Sequence, residues 1–200
     1  MKRIVAAFLC PLIASTMVAC TTTKLDSYVS PSYSARTFSS VAILPLTNQR
    51  INAGQAIELN RAFIQEVQHR NPRLHLIGGQ DAIALLNEKN LADTWAVFLS
   101  GYATSGVPNT HVLSQVARAL NVDAVVVGSV IRVRQEDSNG WTYPVTEVSI
   151  RYTMFSGSDG AIQWEVTGDG KYQPYGWTAP PVFEAAKLAH DKILTELPIQ

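Results

Sequence analysis

Hydrophobic positions in residues 39–200 recur with strand-like and helix-like periods. Short runs of apolar, β-branched residues at 40–46, 74–77 and 124–127 predict buried strands. Within residues 113–120 the apolar positions instead follow the i, i+3, i+4, i+7 spacing of an amphipathic helix. The first half of this region therefore alternates strands with helices.

The second half changes to a period of two. Apolar and polar residues alternate along 143–156 and again along 161–172, which predicts two half-buried strands. Ser138-Asn-Gly140 is a hairpin signal, and a last amphipathic helix runs from about Pro181 to Leu197. The element order β-α-β-α-α-α-β-β-β-α predicts one α/β (α+β) domain. We expect a mixed sheet of about five strands, with helices packed on it in a three-layer arrangement.

The start of the chain has the pattern of an export signal. Lys2 and Arg3 precede a short apolar run that ends among small residues at Cys20. The run is too short to cross the roughly 30 Å of a bilayer core as a helix.

Met17-Val-Ala-Cys20 resembles the lipobox of bacterial lipoproteins, with methionine where leucine is usual. The resemblance implies that residues 1–19 are a cleaved lipoprotein signal peptide and that Cys20 carries acyl chains, including palmitate, in the membrane. Cys10 is the alternative site, but bulky Leu9 precedes it. Thr21 after the cysteine implies sorting to the outer membrane, facing the periplasm.

Residues 20–38 are rich in hydroxylated side chains and show no hydrophobic period. This composition is typical of a flexible tether, which would reach about 60 Å when fully extended. The predicted organisation is a signal peptide at 1–19, the lipidated cysteine and tether at 20–38, and a periplasmic domain at 39–200.

Two stretches support a family resemblance: Val-Ala-Ile-Leu-Pro-Leu at 41–46 and Leu-Asn-Val-Asp-Ala-Val-Val-Val-Gly-Ser-Val at 120–130. With the element order, they resemble the periplasmic α/β domain of several envelope proteins. These are the curli secretion lipoprotein, the TolB amino-terminal domain, the peptidoglycan synthase activator lipoproteins and the Pel exopolysaccharide lipoprotein. Asp123 matches the acidic residue before the central strand, where it is expected to mark the helix-to-strand junction. Because these motifs are fold markers, they imply a fold and no particular activity.

The residues give little indication of catalysis. The four histidines lack metal-ligand spacing, and no nucleophile elbow or phosphate-binding glycine loop occurs. Gly168-Asp-Gly170 offers too few oxygens for calcium and is interpreted as a turn. The chain has 16 basic and 16 acidic residues and no basic run, which argues against nucleic acid as a partner. We expect no enzyme, no cofactor and no metal.

Aromatic residues in the predicted loops are the better candidates for a binding surface. They are Trp141 and Tyr143 on the first hairpin, and Tyr172, Tyr175 and Trp177 in the proline-flanked segment 171–181. Large rings are enriched at the centres of interfaces. The alternative is that each ring folds back over the sheet edge and closes the core.

Two functions agree with these observations. The first is a non-catalytic outer-membrane lipoprotein that acts as a scaffold, and as a homo-oligomer, with other proteins of an envelope assembly or export system. The second is a periplasmic regulatory module that activates or positions an envelope enzyme through its aromatic loop. In both, the lipid bilayer is a partner through acylated Cys20.

Overall fold

A computed structural model describes residues 20–34, 38–47 and 51–198, so the predicted signal segment lies outside the described residues. The elements in chain order are β1 (Cys20–Val29), β2 (Ser40–Ile43), α1 (Ala53–Arg70), β3 (His75–Gly78), α2 (Gln80–Glu88), α3 (Ala92–Ser105), α4 (Thr110–Leu120), β4 (Ala124–Glu136), β5 (Val145–Ser156), β6 (Ile162–Gln173) and α5 (Val182–Thr195). From β2 onward this is the predicted order. None of the described helices combines the length and apolar character needed to span a bilayer.

The six strands form one mixed sheet in the order β1-β6-β5-β4-β2-β3. β2 pairs in parallel with β3 on one side and with β4 on the other. The crossovers that parallel pairing requires are α1, and α2 to α4. β4, β5 and β6 form an antiparallel meander, and β1 adds to its outer edge. The predicted α/β class is confirmed, with six strands instead of about five.

Helices cover both faces of the sheet, which gives the expected three layers. On one face α1 and α5 bury a core that includes Phe63, Val67, Tyr152, Trp164, Ala186, Ala189 and Ile193. On the other face α2, α3 and α4 bury Leu86, Trp95, Phe98, Leu113, Val116, Val125 and Phe155. The continuous apolar run in β4 is explained by this double coverage, because its residues from Ala124 to Val127 are buried alternately on the two faces.

Asp123 lies between α4 and β4, and its hydrogen bonds connect this junction to the start of β2. Its Oδ2 accepts hydrogen bonds from Ser39 N at 2.8 Å, Ser39 Oγ at 2.7 Å and Ser40 N at 3.0 Å. The Asp123 N–H in turn donates to the Ser40 carbonyl at 3.0 Å. This confirms the structural reading of Asp123 as the marker of the helix-to-strand junction.

The predicted flexible tether is wrong for its first ten residues. Cys20–Val29 form β1, which pairs antiparallel with β6 over its whole length. The Ser30 N–H donates to the Gln163 carbonyl at 2.8 Å, and the Tyr33 ring stacks on Phe38 with centroids 6.0 Å apart. Residues 35–37 lie outside the described residues. Cys20, the residue expected to carry the lipid, is therefore itself part of the sheet.

The side chains of β1 explain why sequence pattern missed it. Within the strand's described side chains only Leu25 is half-buried, and it packs against the core beneath α5. An edge strand of this kind is stabilised by main-chain hydrogen bonds to its neighbour, which leave no hydrophobic period in the sequence. The run of β-branched Thr21, Thr22 and Thr23 was the available signal.

Candidate functional site

Two loops at one end of the sheet carry the exposed aromatic residues. One loop, 137–144, joins β4 to β5, and the other, 174–181, joins β6 to α5. Because β4 and β6 are parallel to each other within the meander, both loops leave the same end. We call these two loops together the aromatic tip.

The first loop is shaped by a local asparagine turn. Asn139 Oδ1 accepts hydrogen bonds from Trp141 N, Thr142 N and Thr142 Oγ1, each at 3.0 Å. Gly140 has a φ of 87°, a conformation that favours glycine. The predicted Ser138-Asn-Gly140 turn therefore exists, and it presents Trp141 at the outer end of the loop.

Hydrogen bonds tie the two loops to each other and to the sheet. The Ser138 N–H donates to the Trp177 carbonyl at 2.9 Å. Gln173 Nε2 donates to the Tyr143 carbonyl at 3.3 Å. The Pro180 carbonyl accepts from Thr146 Oγ1 at 2.6 Å and from Gln135 Nε2 at 2.9 Å. The tip is thus fixed at several points along both loops, although it contains no regular secondary structure.

Four of the five predicted binding aromatics are exposed on the tip. The exposed fractions are 96% for Trp141, 55% for Tyr143, 70% for Tyr175 and 75% for Trp177. The rings of Tyr143 and Tyr175 lie 5.4 Å apart between centroids and connect the two loops. The alternative in which these rings fold back into the core is wrong for these four residues.

Tyr172 is different from the other four. It lies within β6, is half-buried, and packs against the core on the α5 side of the sheet. For Tyr172 the fold-back alternative is therefore the correct one, and it is not part of the exposed tip.

Charge is almost absent from the tip. Asp137 is the one charged residue in 137–144 and 174–181, and its Oδ1 accepts a hydrogen bond from Ala179 N at 2.7 Å. The open sheet face next to the tip is charged but paired: Arg134 contacts Glu136 and, at 3.4 Å, Glu147. These acidic neighbours raise the pKa of Arg134 above its usual value, with Glu136 as the main cause. The tip therefore offers rings and main-chain groups in place of free charge.

The register of β1 places Cys20 at the same end of the sheet. Its backbone lies opposite Gln173, the last residue of β6, and Thr21 lies opposite Tyr172. Gln173 leads directly into loop 174–181 of the tip. Sequence reasoning proposed Cys20 and the aromatic residues separately, and the structure brings them together.

Other parts of the described chain offer less chemistry. No cluster of three or more His, Cys, Asp or Glu side chains that could hold a metal occurs in the described ranges. A cavity of about 220 Å³ opens beside Ile57, Asn60 and Ile64, at the carboxyl ends of β2 and β3. Asn60 Oδ1 is buried there and has no hydrogen-bond partner among the residues that the structure describes. The cavity is smaller than the roughly 300–1,000 Å³ of typical ligand pockets. A larger, open depression of about 810 Å³ lies along α3, beside Val97 and Tyr102, and Asp93 is the one charged residue that lines it.

No protein-family model matches this chain, and no curated protein matches it in sequence. Several solved structures do have a similar fold. The PelC dodecamer from Paraburkholderia phytofirmans is 15% identical, with a TM-score of 0.47 over 86% of this chain and 96% of that one. The lipoprotein GNA1162 from Neisseria meningitidis is 11% identical, with a TM-score of 0.44 over 79% and 99% of the two chains.

The C-terminal domain of LpoB from Salmonella enterica is 13% identical, with a TM-score of 0.38 over 66% of this chain and 81% of that domain. These neighbours match the lipoprotein group that the sequence resembles, and the likeness is one of fold.

Proposed function

We propose that this protein is a non-catalytic lipoprotein of the outer membrane, facing the periplasm, that serves as a scaffold in an envelope assembly or export system. The observation that carries the proposal is that Cys20 itself lies in β1, opposite Gln173 of β6. Acyl chains on this residue would leave no flexible spacer between the bilayer and the sheet. Multiple acyl chains bind a membrane stably, because each buried CH2 contributes about 0.8 kcal/mol.

The missing spacer also limits which partners the protein can serve. A tether of eighteen residues could reach about 60 Å, whereas a domain whose edge strand begins at the anchor stays beside the bilayer. A scaffold that assembles at the membrane surface suits this geometry. The alternative, a regulatory module for an envelope enzyme, then requires that the enzyme itself come close to the outer membrane.

Metabolic labelling with a palmitate analogue tests the anchor. The chain has two cysteines, so Cys20→Ser and Cys10→Ser form a matched pair of variants. We expect the wild type and Cys10→Ser to incorporate the label and to fractionate with the outer membrane, and Cys20→Ser to remain unlabelled. Labelling of Cys20→Ser, or loss of the label in Cys10→Ser alone, would contradict the proposed site.

Self-association is the second part of the proposal. It derives from the resemblance to lipoproteins of this domain type, and it is tested by the mass of the acylated protein in mild detergent. We expect a homo-oligomer that persists on dilution into the micromolar range. A mass that stays monomeric at high concentration would remove the oligomer from the proposal and favour the regulatory module.

A further inference from the structure

We propose that the aromatic tip inserts into the interfacial layer of the bilayer that holds Cys20, so that the protein is docked by rings as well as by acyl chains. The proposal rests on the proposed function for the anchor at Cys20. It goes beyond it by assigning the bilayer itself as the partner of Trp141, Tyr143, Tyr175 and Trp177.

The first argument is position. Cys20 is paired with Gln173, and Gln173 contacts the Tyr143 carbonyl through its side-chain amide at 3.3 Å. The strand that leaves Cys20 runs away from the tip, from the Gln173 end of β6 toward the Trp164 end. Acyl chains attached at Cys20 would therefore enter the membrane next to the loops that carry the exposed rings.

The second argument is chemistry. Tryptophan and tyrosine favour the membrane–water interface, because their rings are apolar while their N–H and O–H groups still reach water. Trp141 and Trp177 are mostly exposed, although burial would remove large apolar surfaces from water. The only charge in the two loops, on Asp137, is directed at the Ala179 N–H. A bilayer that covers this surface removes little charge from water, because Asp137 is the one charged residue of the two loops and its carboxylate accepts a hydrogen bond.

The third argument is rigidity. The Ser138–Trp177 and Gln173–Tyr143 hydrogen bonds hold both loops against each other before any membrane is present. A preformed surface pays less conformational entropy on binding than a loop that must first become ordered. Acylation adds to this effect, since the anchor keeps the tip at high local concentration beside the lipid.

Docking at two points fixes an orientation that one flexible anchor would not. The strands β1, β4, β5 and β6 then extend from the bilayer into the periplasm. The opposite end of the sheet, where Val29 pairs with Trp164, lies furthest from the membrane. That end and the helical faces remain available to other envelope proteins.

Tryptophan quenching by brominated lipids tests the docking. The chain has four tryptophans, of which Trp141 and Trp177 are exposed on the tip while Trp95 and Trp164 are buried. The acylated protein, purified in mild detergent, would be reconstituted into phosphatidylethanolamine–phosphatidylglycerol vesicles with brominated acyl chains. We expect strong quenching in the wild type and a severalfold smaller quenched fraction in the double variant Trp141→Ser/Trp177→Ser.

Tyr28→Ser provides the matched control. Tyr28 is an exposed ring on β1, 53% accessible, and lies toward the end of the strand away from the tip. This variant should keep the wild-type quenching. Far-ultraviolet circular dichroism and thermal unfolding, measured on the same samples, would show whether each variant has the wild-type fold.

The outcomes separate the docking from the anchor. If the acylated wild type floats with the vesicles but its tryptophans are quenched no more than those of the double variant, the docking proposal is wrong and the anchor stands. Recovery of a protein cross-linked to the tip, together with absent quenching, would assign the tip to a protein partner instead. If Cys20 carries no acyl chain, the proposed function fails. In that case the unacylated protein would be added to the same vesicles. Quenching of its tryptophans would still support the docking proposal, and a lack of quenching would overturn that proposal.

Discussion

Cys20 lies opposite Gln173 in the antiparallel pairing of β1 with β6. Gln173 also donates a hydrogen bond to the Tyr143 carbonyl, so the first strand, the last strand and the hairpin loop meet at one end of the sheet. The backbone of Cys20 therefore lies at the end of the sheet that carries the exposed rings of the tip. This relationship places two separate sequence features, a candidate lipidation site and a set of aromatic loops, at the same end of the fold.

Hydrogen exchange tests whether β1 is a strand. In the wild type we expect protection of the β1 amides that point toward β6, whereas a flexible tether would exchange at the rate of an unstructured peptide. Leu25→Ala should destabilise the docking of β1 by about 1.4 kcal/mol and speed this exchange roughly tenfold. Tyr28→Ala, which removes an exposed ring from the same strand, should leave the protection unchanged.

Gly170 is a position where the fold has no room for a side chain. A Cβ there would lie 2.1 Å from the Ala185 carbonyl oxygen and 2.5 Å from the Ala189 nitrogen, both in the backbone of α5. Gly170→Ala should therefore lower the free energy of unfolding by about 2–3 kcal/mol, because α5 must shift away from β6. Denaturant unfolding measures the loss.

Gly101 offers the matching control for the glycine prediction. It lies in the interior of α3, and beyond its chain neighbours and the backbone of its own helix a Cβ at this position would meet no described atom within 4 Å. Gly101→Ala should raise the free energy of unfolding by about 0.5–1 kcal/mol, because alanine loses less backbone entropy in a helix. Equal effects of the two substitutions would contradict the close packing of α5 on β6.

Removing the Asp123 carboxylate should loosen the start of β2. Burial alone would raise the pKa of Asp123, but hydrogen bonds from Ser39 and Ser40 outweigh it and hold the pKa below its usual value. Since the carboxyl group is exposed, we expect Asp123→Ala to cost about 1–2 kcal/mol of unfolding free energy. Asp26→Ala, which breaks an exposed pair with Lys24, should change it by less than about 0.5 kcal/mol.

His190 should make stability depend on pH. It is fully buried beside Phe63 and Tyr152, and burial lowers its pKa to about 4. Between the ordinary histidine pKa of about 6.5 and this value, the unfolded chain binds a proton that the folded protein does not. The free energy of unfolding should therefore fall as the pH drops through that window, by roughly 3 kcal/mol in all.

Two variants isolate the contribution of His190. His190→Leu should remove most of the loss of stability between pH 6.5 and 4, as measured by urea unfolding at a series of pH values. His111→Leu, which replaces an exposed histidine at the start of α4, should keep the wild-type dependence. If the free energy of unfolding falls equally with pH in all three proteins, His190 binds its proton at the same pH in the folded and unfolded states, and the prediction is wrong.

The core of the fold could be predicted from the sequence because burial of one face of a helix or strand gives the apolar residues a regular spacing. The alternation along 143–156 and 161–172 became β5 and β6 within two residues at their ends. The interpretation of Gly168-Asp-Gly170 as a turn was wrong. These glycines lie inside β6, where α5 packs directly on the strand. A glycine that leaves room for a packed helix and a glycine in a turn look the same in the local sequence.

The sequence by itself determined the order of elements from β2 onward, the apolar faces that form the two core layers, and the aromatic residues worth testing. The tertiary structure alone decided that residues 20–29 form an edge strand, that four of the five rings are exposed, and that they lie at the Cys20 end of the sheet. The reason is physical. Side-chain burial is encoded by local periodicity, whereas main-chain pairing at an edge and the meeting of distant loops depend on which strands become neighbours.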